Sequence, residues 1–130
     1  MEKPIFNMRE PIYQQIIRYM ERLIISGKLQ PGQELPSRRE FARFLEVNPN
    51  TVQRAFSEME ACGWIYTETG RPSRITENKT LIEDLKTQWL DRTVEEFIQA
   101  VRLVDIPLAD FEGRLQSRIE RLKIEEEQHD

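Results

Sequence analysis

The chain has 130 residues, of which 32% are charged and 38% apolar, a balance typical of a small folded domain and not of a disordered chain. The 23 acidic and 19 basic residues give a formal charge of −4, which argues against a protein that coats nucleic acid or anionic membranes by bulk positive charge. One cysteine and one histidine exclude an internal disulfide and argue against a metal site or a serine–histidine triad.

Two further absences narrow the class of protein. No apolar run approaches the roughly 20 residues that a membrane-spanning helix needs. No apolar stretch of signal-peptide length follows the N-terminus either. We therefore expect a cytoplasmic protein that is not an enzyme, carries no cofactor or metal and does not enter a membrane.

The first strong helical pattern begins at Pro11, which suits the first helical position because its missing N–H would be unpaired there. Apolar residues then recur at helical spacing until Ser26-Gly27 ends the helix. A turn is predicted at residues 30–32, and Leu35 is expected to be extended because it precedes a proline.

A second helix is predicted to begin at Ser37, which has capping-box spacing with Glu40. Phe41, Phe44 and Leu45 are expected to form the buried side of this helix. A short connection then leads to Asn48-Pro49, an N-cap residue followed by a proline.

The third helix, from Asn48 to about Cys62-Gly63, carries two different faces. Its apolar residues share the face expected to lie in the core: Val52, Ala55, Phe56 and Met59. The opposite face is polar and consists of Asn50, Gln53, Arg54 and Ser57, with Thr51 at its edge. Amide and guanidinium groups of this kind hydrogen-bond base edges in the major groove of DNA. The alternative is a helix that is merely polar and exposed to solvent.

Strand-forming residues at 64–67 and 73–76 flank the turn at residues 68–72 and predict a β-hairpin. Three helices followed by a hairpin are the element order of a winged helix-turn-helix. We therefore predict a mainly α protein with a small β-wing, in which residues 1–77 form a winged helix-turn-helix DNA-binding domain.

Two basic segments of this domain are further candidates for DNA contact. Ser37, Arg38 and Arg39 lie at the start of the second helix, where free N–H groups and the helix dipole favour phosphate. Either arginine could instead pair with Glu34 or Glu40; DNA contact is favoured for Arg39, and Arg38 is left open. At the hairpin tip, Gly70 and Arg71 could approach a phosphate or the minor groove, and Arg74 adds positive charge nearby. The alternative there is a turn that simply needs glycine.

These residues resemble the DNA-binding domain of GntR-type bacterial regulators over about positions 11–76. The resemblance is carried by Pro11-Ile12-Tyr13, residues 26–40, residues 47–52, Arg54-Ala55, Met59-Glu60 and Gly63-Trp64-Ile65. Phe41, Phe44 and the wing residues 68–72 depart from the usual pattern. The resemblance implies operator contacts at Arg39, Asn48, Asn50, Thr51, Gln53, Arg54, Gly70 and Arg71.

From about residue 78 the pattern is helical, with a break at Asp105-Ile106-Pro107. Residues 78–130 are too short for the larger effector-binding domains of the GntR family and look like the short helical region of its YtrA subfamily, which serves dimerisation. One apolar stripe runs from Leu81 to Val101 and a second from Leu108 to Leu122, and two isolated helices cannot bury both without partners. The residues expected to form the dimer are Leu85, Trp89, Val94, Phe97, Val101, Phe111, Leu115 and Ile119. The acidic tail from Glu125 is expected to fray.

Two alternatives to the dimer remain: both helices fold back on their own winged domain, or Trp89 and Phe97 line a small ligand cavity. The favoured function is a homodimeric DNA-binding regulator, most simply a repressor, on a palindromic operator. A winged-helix module that binds a protein instead of DNA is the alternative. The sequence identifies no small-molecule effector.

The negative charge does not oppose this function, because it is unevenly distributed. Residues 1–78 contain 11 basic and 10 acidic residues, a balance of +1, whereas the remainder contains 8 and 13, a balance of −5. The acidity therefore belongs to the predicted dimerisation helices and tail.

Overall fold

The computed structural model describes residues 1–129 and is mainly helical, with one two-stranded antiparallel sheet. Its elements in chain order are α1 (Ile12–Ile25), α2 (Arg38–Leu45), α3 (Pro49–Ala61), β1 (Ile65–Tyr66), β2 (Arg74–Ile75), α4 (Lys79–Val101) and α5 (Leu108–His129). The predicted architecture, a helical protein with a small β-wing, is confirmed.

Helix α3 is the centre of the N-terminal fold, because α1, α2 and β1 all pack against it. Its buried face is the predicted one: Val52, Ala55, Phe56 and Met59. The rings of Phe41 and Phe56 lie 5.7 Å apart at 54°, a tilted geometry that aromatic pairs favour. The burial of these large side chains is the main favourable contribution to the stability of this part of the chain.

The ends of α2 and α3 follow from local sequence. Ser37 Oγ accepts a hydrogen bond from the Glu40 N–H at 3.1 Å, as the capping-box spacing predicts. At the end of α3, Gly63 has a φ of +80°. Its N–H donates to the Glu60 carbonyl at 3.0 Å, and the Trp64 N–H donates to the Met59 carbonyl at 2.9 Å. These two bonds form a Schellman motif, which needs a residue with positive φ at this position.

Two local predictions are wrong in detail. Pro11 is the N-cap of α1 and not its first helical residue, because its ψ of 135° is extended while its carbonyl already accepts from Gln14 and Gln15. Phe44 is 37% exposed, although its ring lies 6.4 Å from that of Phe41. Helix α2 buries positions 41, 42 and 45, and at 3.6 residues per turn position 44 points about 100° away from the centre of that face.

The wing is tied to the segment before α2. Strands β1 and β2 pair with Ile65 opposite Ile75 and Tyr66 opposite Arg74. On the other side of β2, the Ile75 N–H donates to the Gln33 carbonyl at 3.0 Å, and the Leu35 N–H donates to the Ser73 carbonyl at 2.8 Å. The start of α2 and the wing are therefore held beside each other.

The chain divides into two compact units, which we call the N-terminal unit (Met1–Trp89) and the C-terminal unit (from Leu90). The first part of α4 belongs to the N-terminal unit, where Ile82 and Leu85 join the buried apolar core.

In the C-terminal unit the rings of Phe97 and Phe111 lie 5.4 Å apart, yet α5 contains no buried residue. Helix α5 also extends further than expected, because the glutamates after position 124 are helical up to His129. Glutamate and glutamine are good helix formers, which accounts for this extension.

Candidate nucleic-acid interface

The N-terminus of α3 is built by Asn48 and Pro49. Asn48 Oδ1 accepts a hydrogen bond from the Asn50 N–H at 2.8 Å, and Pro49 occupies the first helical position. The capping oxygen of Asn48 is thus occupied, while its exposed NH₂ group can still donate to an acceptor outside the protein. The local sequence therefore starts α3 at a defined residue and leaves polar groups at its tip.

The outward face of α3 is exposed as predicted, at Asn50, Gln53, Arg54 and Ser57, and Thr51 is half-buried at its edge. The side chains of Asn50 and Thr51 have no hydrogen-bond partner in the described part of the chain. Glu58 is the first carboxylate on this surface, and its Oε1 lies 3.8 Å from Arg54 Nε. The face presents donors and acceptors that match base edges.

Arg54 is held over the ring of Tyr13 from α1. The Arg54 Cζ lies 3.8 Å from the ring centroid, and Nη2 donates to the Tyr13 hydroxyl at 3.1 Å. A cation above an aromatic face is attracted by the ring quadrupole, so the guanidinium is oriented before any ligand arrives. Tyr13 is a residue of the site that sequence reasoning missed, because 41 positions separate it from Arg54.

The two arginines at the start of α2 have different surroundings. Arg38 pairs with the Glu60 carboxylate and donates from Nη1 to Gln53 Oε1 at 2.7 Å. Arg39 is exposed and has no ion-pair or hydrogen-bond partner within residues 1–129. Neither arginine pairs with Glu34; that carboxylate instead accepts from Arg74 Nη2 at 2.6 Å. Arg39 is therefore free to meet a phosphate, whereas Arg38 is engaged inside the protein.

The wing tip is a tight turn that needs glycine. The Arg71 N–H donates to the Glu68 carbonyl at 3.0 Å, and Gly70 has a φ of +76°, as the third residue of a type II turn requires. Arg71 is exposed, and its Nε lies 3.8 Å from Glu68 Oε2, a loose surface pair. Arg74 does not contribute to this tip, because its guanidinium binds Glu34 and the Gly32 carbonyl.

A surface cleft brings two predicted segments together, since it is lined by Ser37 and Arg38 from the start of α2 and by Gly70 and Arg71 from the wing. At the base of the wing, the Tyr66 hydroxyl donates to Glu77 Oε1 at 3.2 Å. Desolvation and, next, the Glu77 carboxylate raise the pKa of this hydroxyl, so Tyr66 remains a neutral donor. The cleft joins the start of α2 to the wing, and the hydrogen bond from Arg38 to Gln53 joins the start of α2 to α3. These three elements carry three exposed arginines: Arg39, Arg54 and Arg71.

The turn between α2 and α3 carries a further residue that sequence reasoning missed. Glu46 adopts a φ of +58°, the left-handed region that favours glycine. Its carboxylate pairs with Lys3 from the N-terminal segment. The hydrogen bond from Lys3 and then its positive charge lower the pKa of Glu46. The N-terminal segment is therefore anchored at this turn by an exposed ion pair.

The residues predicted for dimerisation lie in different environments. Leu85 is buried in the core of the N-terminal unit, and Trp89, its last residue, is half-buried. In the C-terminal unit, Val101 and Phe111 are half-buried. The others are more than a third exposed: Val94, Phe97, Leu115 and Ile119.

No helix within residues 1–129 is both long and apolar enough to span a bilayer. The same residues contain no group of three or more histidine, cysteine, aspartate or glutamate side chains placed to hold a metal ion.

Comparison with known proteins identifies the family to which the chain is related. Residues 12–75 match the model of the bacterial regulatory proteins of the gntR family. The transcriptional repressor YtrA of Bacillus subtilis is 42% identical over 92 residues, which are 69% of this chain and 71% of YtrA. The uncharacterized regulator YhcF of the same organism is 36% identical over 97 residues, or 75% of this chain and 80% of YhcF.

A solved structure agrees with these relatives. The GntR family transcriptional regulator from Listeria monocytogenes superposes with a TM-score of 0.78 at 36% identity, covering 86% of this chain and 98% of its own. The chain therefore belongs to the gntR family of bacterial regulatory proteins and is a YtrA-like, DNA-binding transcription regulator, not an enzyme.

Proposed function

We propose that the protein is a homodimeric repressor that binds a palindromic operator in the cytoplasm. The observation that carries this proposal is the outward face of α3, where Asn50 and Thr51 are free of partners within residues 1–129 and Arg54 is oriented by Tyr13. The relative YtrA carries the name of a repressor, which supports repression.

In this proposal residues 1–77 bind the DNA, and two kinds of contact have different tasks. Arg39 and Arg71 bind backbone phosphates on either side of the groove, together with the N-terminal amides of α2 at Ser37. Asn50, Gln53 and Arg54 read base edges, since amides pair with adenine and arginine with guanine. The phosphate contacts set the position of the domain, and the base contacts select the sequence. We assign supporting DNA contacts to Asn48, Thr51 and the Gly70 turn.

The helices after residue 77 provide the dimer. Helix α5 has no buried residue, and its apolar side chains Leu115 and Ile119 share one face with Phe111. A second copy of the chain would cover this face and the exposed Val94 and Phe97 of α4. A two-fold dimer on a palindrome would need its two α3 helices about 34 Å apart, the spacing of successive major grooves.

A winged-helix module that binds a protein instead of DNA is not favoured. Such a module would present bulky apolar or acidic residues on the outward face of α3. That face instead carries amide, hydroxyl and guanidinium groups, with Glu58 as its first carboxylate.

A footprint with purified protein on the DNA upstream of its own gene tests the proposal. We expect two protected half-sites about one helical turn apart, with two chains per duplex by sedimentation. Absence of protection at low and moderate salt, on this DNA and on a randomised duplex library, would contradict DNA recognition. Protection of a single half-site by one chain would contradict the dimer alone.

A further inference from the structure

Arg38 lies at the centre of a hydrogen-bond network that joins α2, α3 and the wing. Its Nη1 donates to Gln53 Oε1 at 2.7 Å, and its Nη2 binds the Glu60 carboxylate. The guanidinium also lies over the ring of Phe56, with Cζ 5.4 Å from the ring centroid. Arg38 and Glu60 are only about one-third exposed, at 33% and 34% of their side-chain surface. Three partners therefore hold one guanidinium in a fixed orientation.

The hydrogen-bond network continues to the wing through Glu60. Thr67 Oγ1 donates to Glu60 Oε1 at 2.9 Å, and Thr67 Oγ1 lies 2.6 Å from the hydroxyl of the buried Ser73. Because the single proton of the Thr67 hydroxyl is used toward Glu60, Ser73 is the donor in the second bond. The base of the wing thus fixes Glu60, which in turn fixes Arg38.

The other end of the hydrogen-bond network is the exposed amide of Gln53 on α3. Arginine can only donate, so the atom that meets Arg38 must be the amide oxygen, and this settles which way the amide points. The Gln53 Nε2 then donates to Ser57 Oγ at 3.3 Å and keeps a second N–H for an acceptor outside the protein. A glutamine that is not held in this way would sample many rotamers and both amide orientations.

We propose that Arg38 is a positioning residue that fixes the Gln53 amide and thereby sets the base preference of α3 at one position of the operator. The proposal rests on DNA recognition by α3, and it assigns to Arg38 a task other than direct contact with phosphate. To reach a phosphate, Arg38 would have to leave Glu60 and so leave this carboxylate without its cationic partner. The free arginine of this pair of residues is Arg39.

The two tasks give different results in a binding experiment. A phosphate contact contributes equally to every sequence, and its loss lowers the slope of log K against log salt by about 1. A positioning residue changes the relative affinity for different bases at one position and leaves the salt slope unchanged. Base preference and salt slope therefore separate them.

The test uses the full chain and a randomised duplex library, from which the wild-type protein selects its preferred operator. Gln53→Ala then identifies the base pair that Gln53 reads, as the position where the preference between bases disappears. We expect Arg38→Met to reduce the preference at that same base pair from about tenfold to below threefold, with the salt slope unchanged. Methionine retains an apolar stem over Phe56, so the domain stays folded, which circular dichroism verifies.

Two further variants serve as matched controls. Glu60→Gln keeps an oxygen for Arg38 and Thr67, so it should preserve most of the base preference, whereas Glu60→Ala should lose it. Arg39→Ala should lower affinity for all sequences and reduce the salt slope. A role of Arg38 in stability alone would lower the affinity for all sequences equally and leave the preference intact.

The outcomes distinguish this inference from the function on which it rests. A wild-type protein that selects no sequence overturns DNA recognition itself. A wild type that selects an operator, with Arg38→Met keeping the full preference at the Gln53 position, overturns the positioning role only. A salt slope lowered by about 1 in Arg38→Met would assign Arg38 to phosphate contact instead.

Discussion

The N-terminal and C-terminal units differ in how far their helices bury apolar side chains. In the N-terminal unit, Phe41, Phe56 and Ile16 are almost inaccessible to solvent, because three helices and the wing enclose them. In the C-terminal unit, Leu115 and Ile119 remain 39% and 42% exposed, and α5 has no buried residue. The helices and wing of the first unit bury most of their apolar residues within one chain, whereas the second unit leaves a stripe that a second chain can cover. This difference is the physical reason for assigning recognition to one unit and dimerisation to the other.

Removal of a buried aromatic ring from the N-terminal unit should have the largest effect on the free energy of unfolding. Phe56→Ala is expected to lower the free energy of unfolding by about 3–5 kcal/mol, because it leaves a cavity among buried neighbours. Phe44→Ala removes the same ring from a partly exposed site and should cost about 1 kcal/mol or less. Urea unfolding followed by circular dichroism at one protein concentration measures both losses. Equal losses would contradict the described division between core and surface in α2 and α3.

A charge placed on the exposed apolar stripe of α5 should disrupt dimerisation through the C-terminal unit without unfolding the N-terminal unit. Leu115→Asp is expected to raise the dimer dissociation constant by about a hundredfold or more, since a carboxylate would be buried at the interface without a partner. Operator affinity should fall with it, because two half-sites would no longer be bound together.

The control for this prediction is Ser117→Asp, which adds the same charge on the opposite face of α5. Sedimentation equilibrium over a range of concentrations measures the association of both variants. If Leu115→Asp remains as dimeric as Ser117→Asp, the stripe is not the dimer surface.

Alanine in place of glycine should have opposite effects in the two units. Gly63→Ala should destabilise the protein by about 1–2 kcal/mol, because an L-residue is strained at positive φ; the added Cβ would also lie 3.2 Å from Leu81 Cδ1. Gly113→Ala lies inside α5, and apart from the local backbone of the helix no atom lies within 4 Å of the added Cβ. It should stabilise α5 by about 0.5–1 kcal/mol, because alanine is the better helix former. Thermal unfolding of the two variants compares the signs, and a stabilising Gly63→Ala would contradict the Schellman geometry at the end of α3.

Loss of one arginine should have a smaller effect that also depends on the unit. Arg39→Ala is expected to reduce operator affinity about three- to tenfold and to lower the salt slope by about 1, because one phosphate contact is lost. Arg121→Ala makes the same change in charge on α5, outside the apolar stripe, and should leave the slope unchanged. Anisotropy titrations with a labelled operator over a salt series give both slopes. Parallel changes in the two variants would show that net charge, and not the position of Arg39, governs the affinity.

The local features of the fold could be predicted because they depend on neighbours in sequence. The Ser37 and Asn48 caps, the glycine turn of the wing and the two faces of α3 follow from spacing within a few residues. The exposure of Phe44 was missed because the sequence shows that a helix is amphipathic without showing how wide its buried face is. The burial of Leu85 was missed for a related reason: a continuous apolar stripe does not reveal where packing on one unit ends.

The sequence by itself determined the order of the elements, the composition of the outward face of α3 and the resemblance to GntR regulators, since these depend on residue type and spacing. Only the tertiary structure decided which polar groups on that face are free. Tyr13 meets Arg54 across 41 positions, and Arg38 meets Gln53 across 15 and Glu60 across 22. Whether two groups form a hydrogen bond depends on their separation to within a few tenths of an ångström, and that separation is set by the packing of the elements that carry them. For this reason adjacent arginines that look equivalent in sequence, Arg38 and Arg39, have different surroundings in the folded protein.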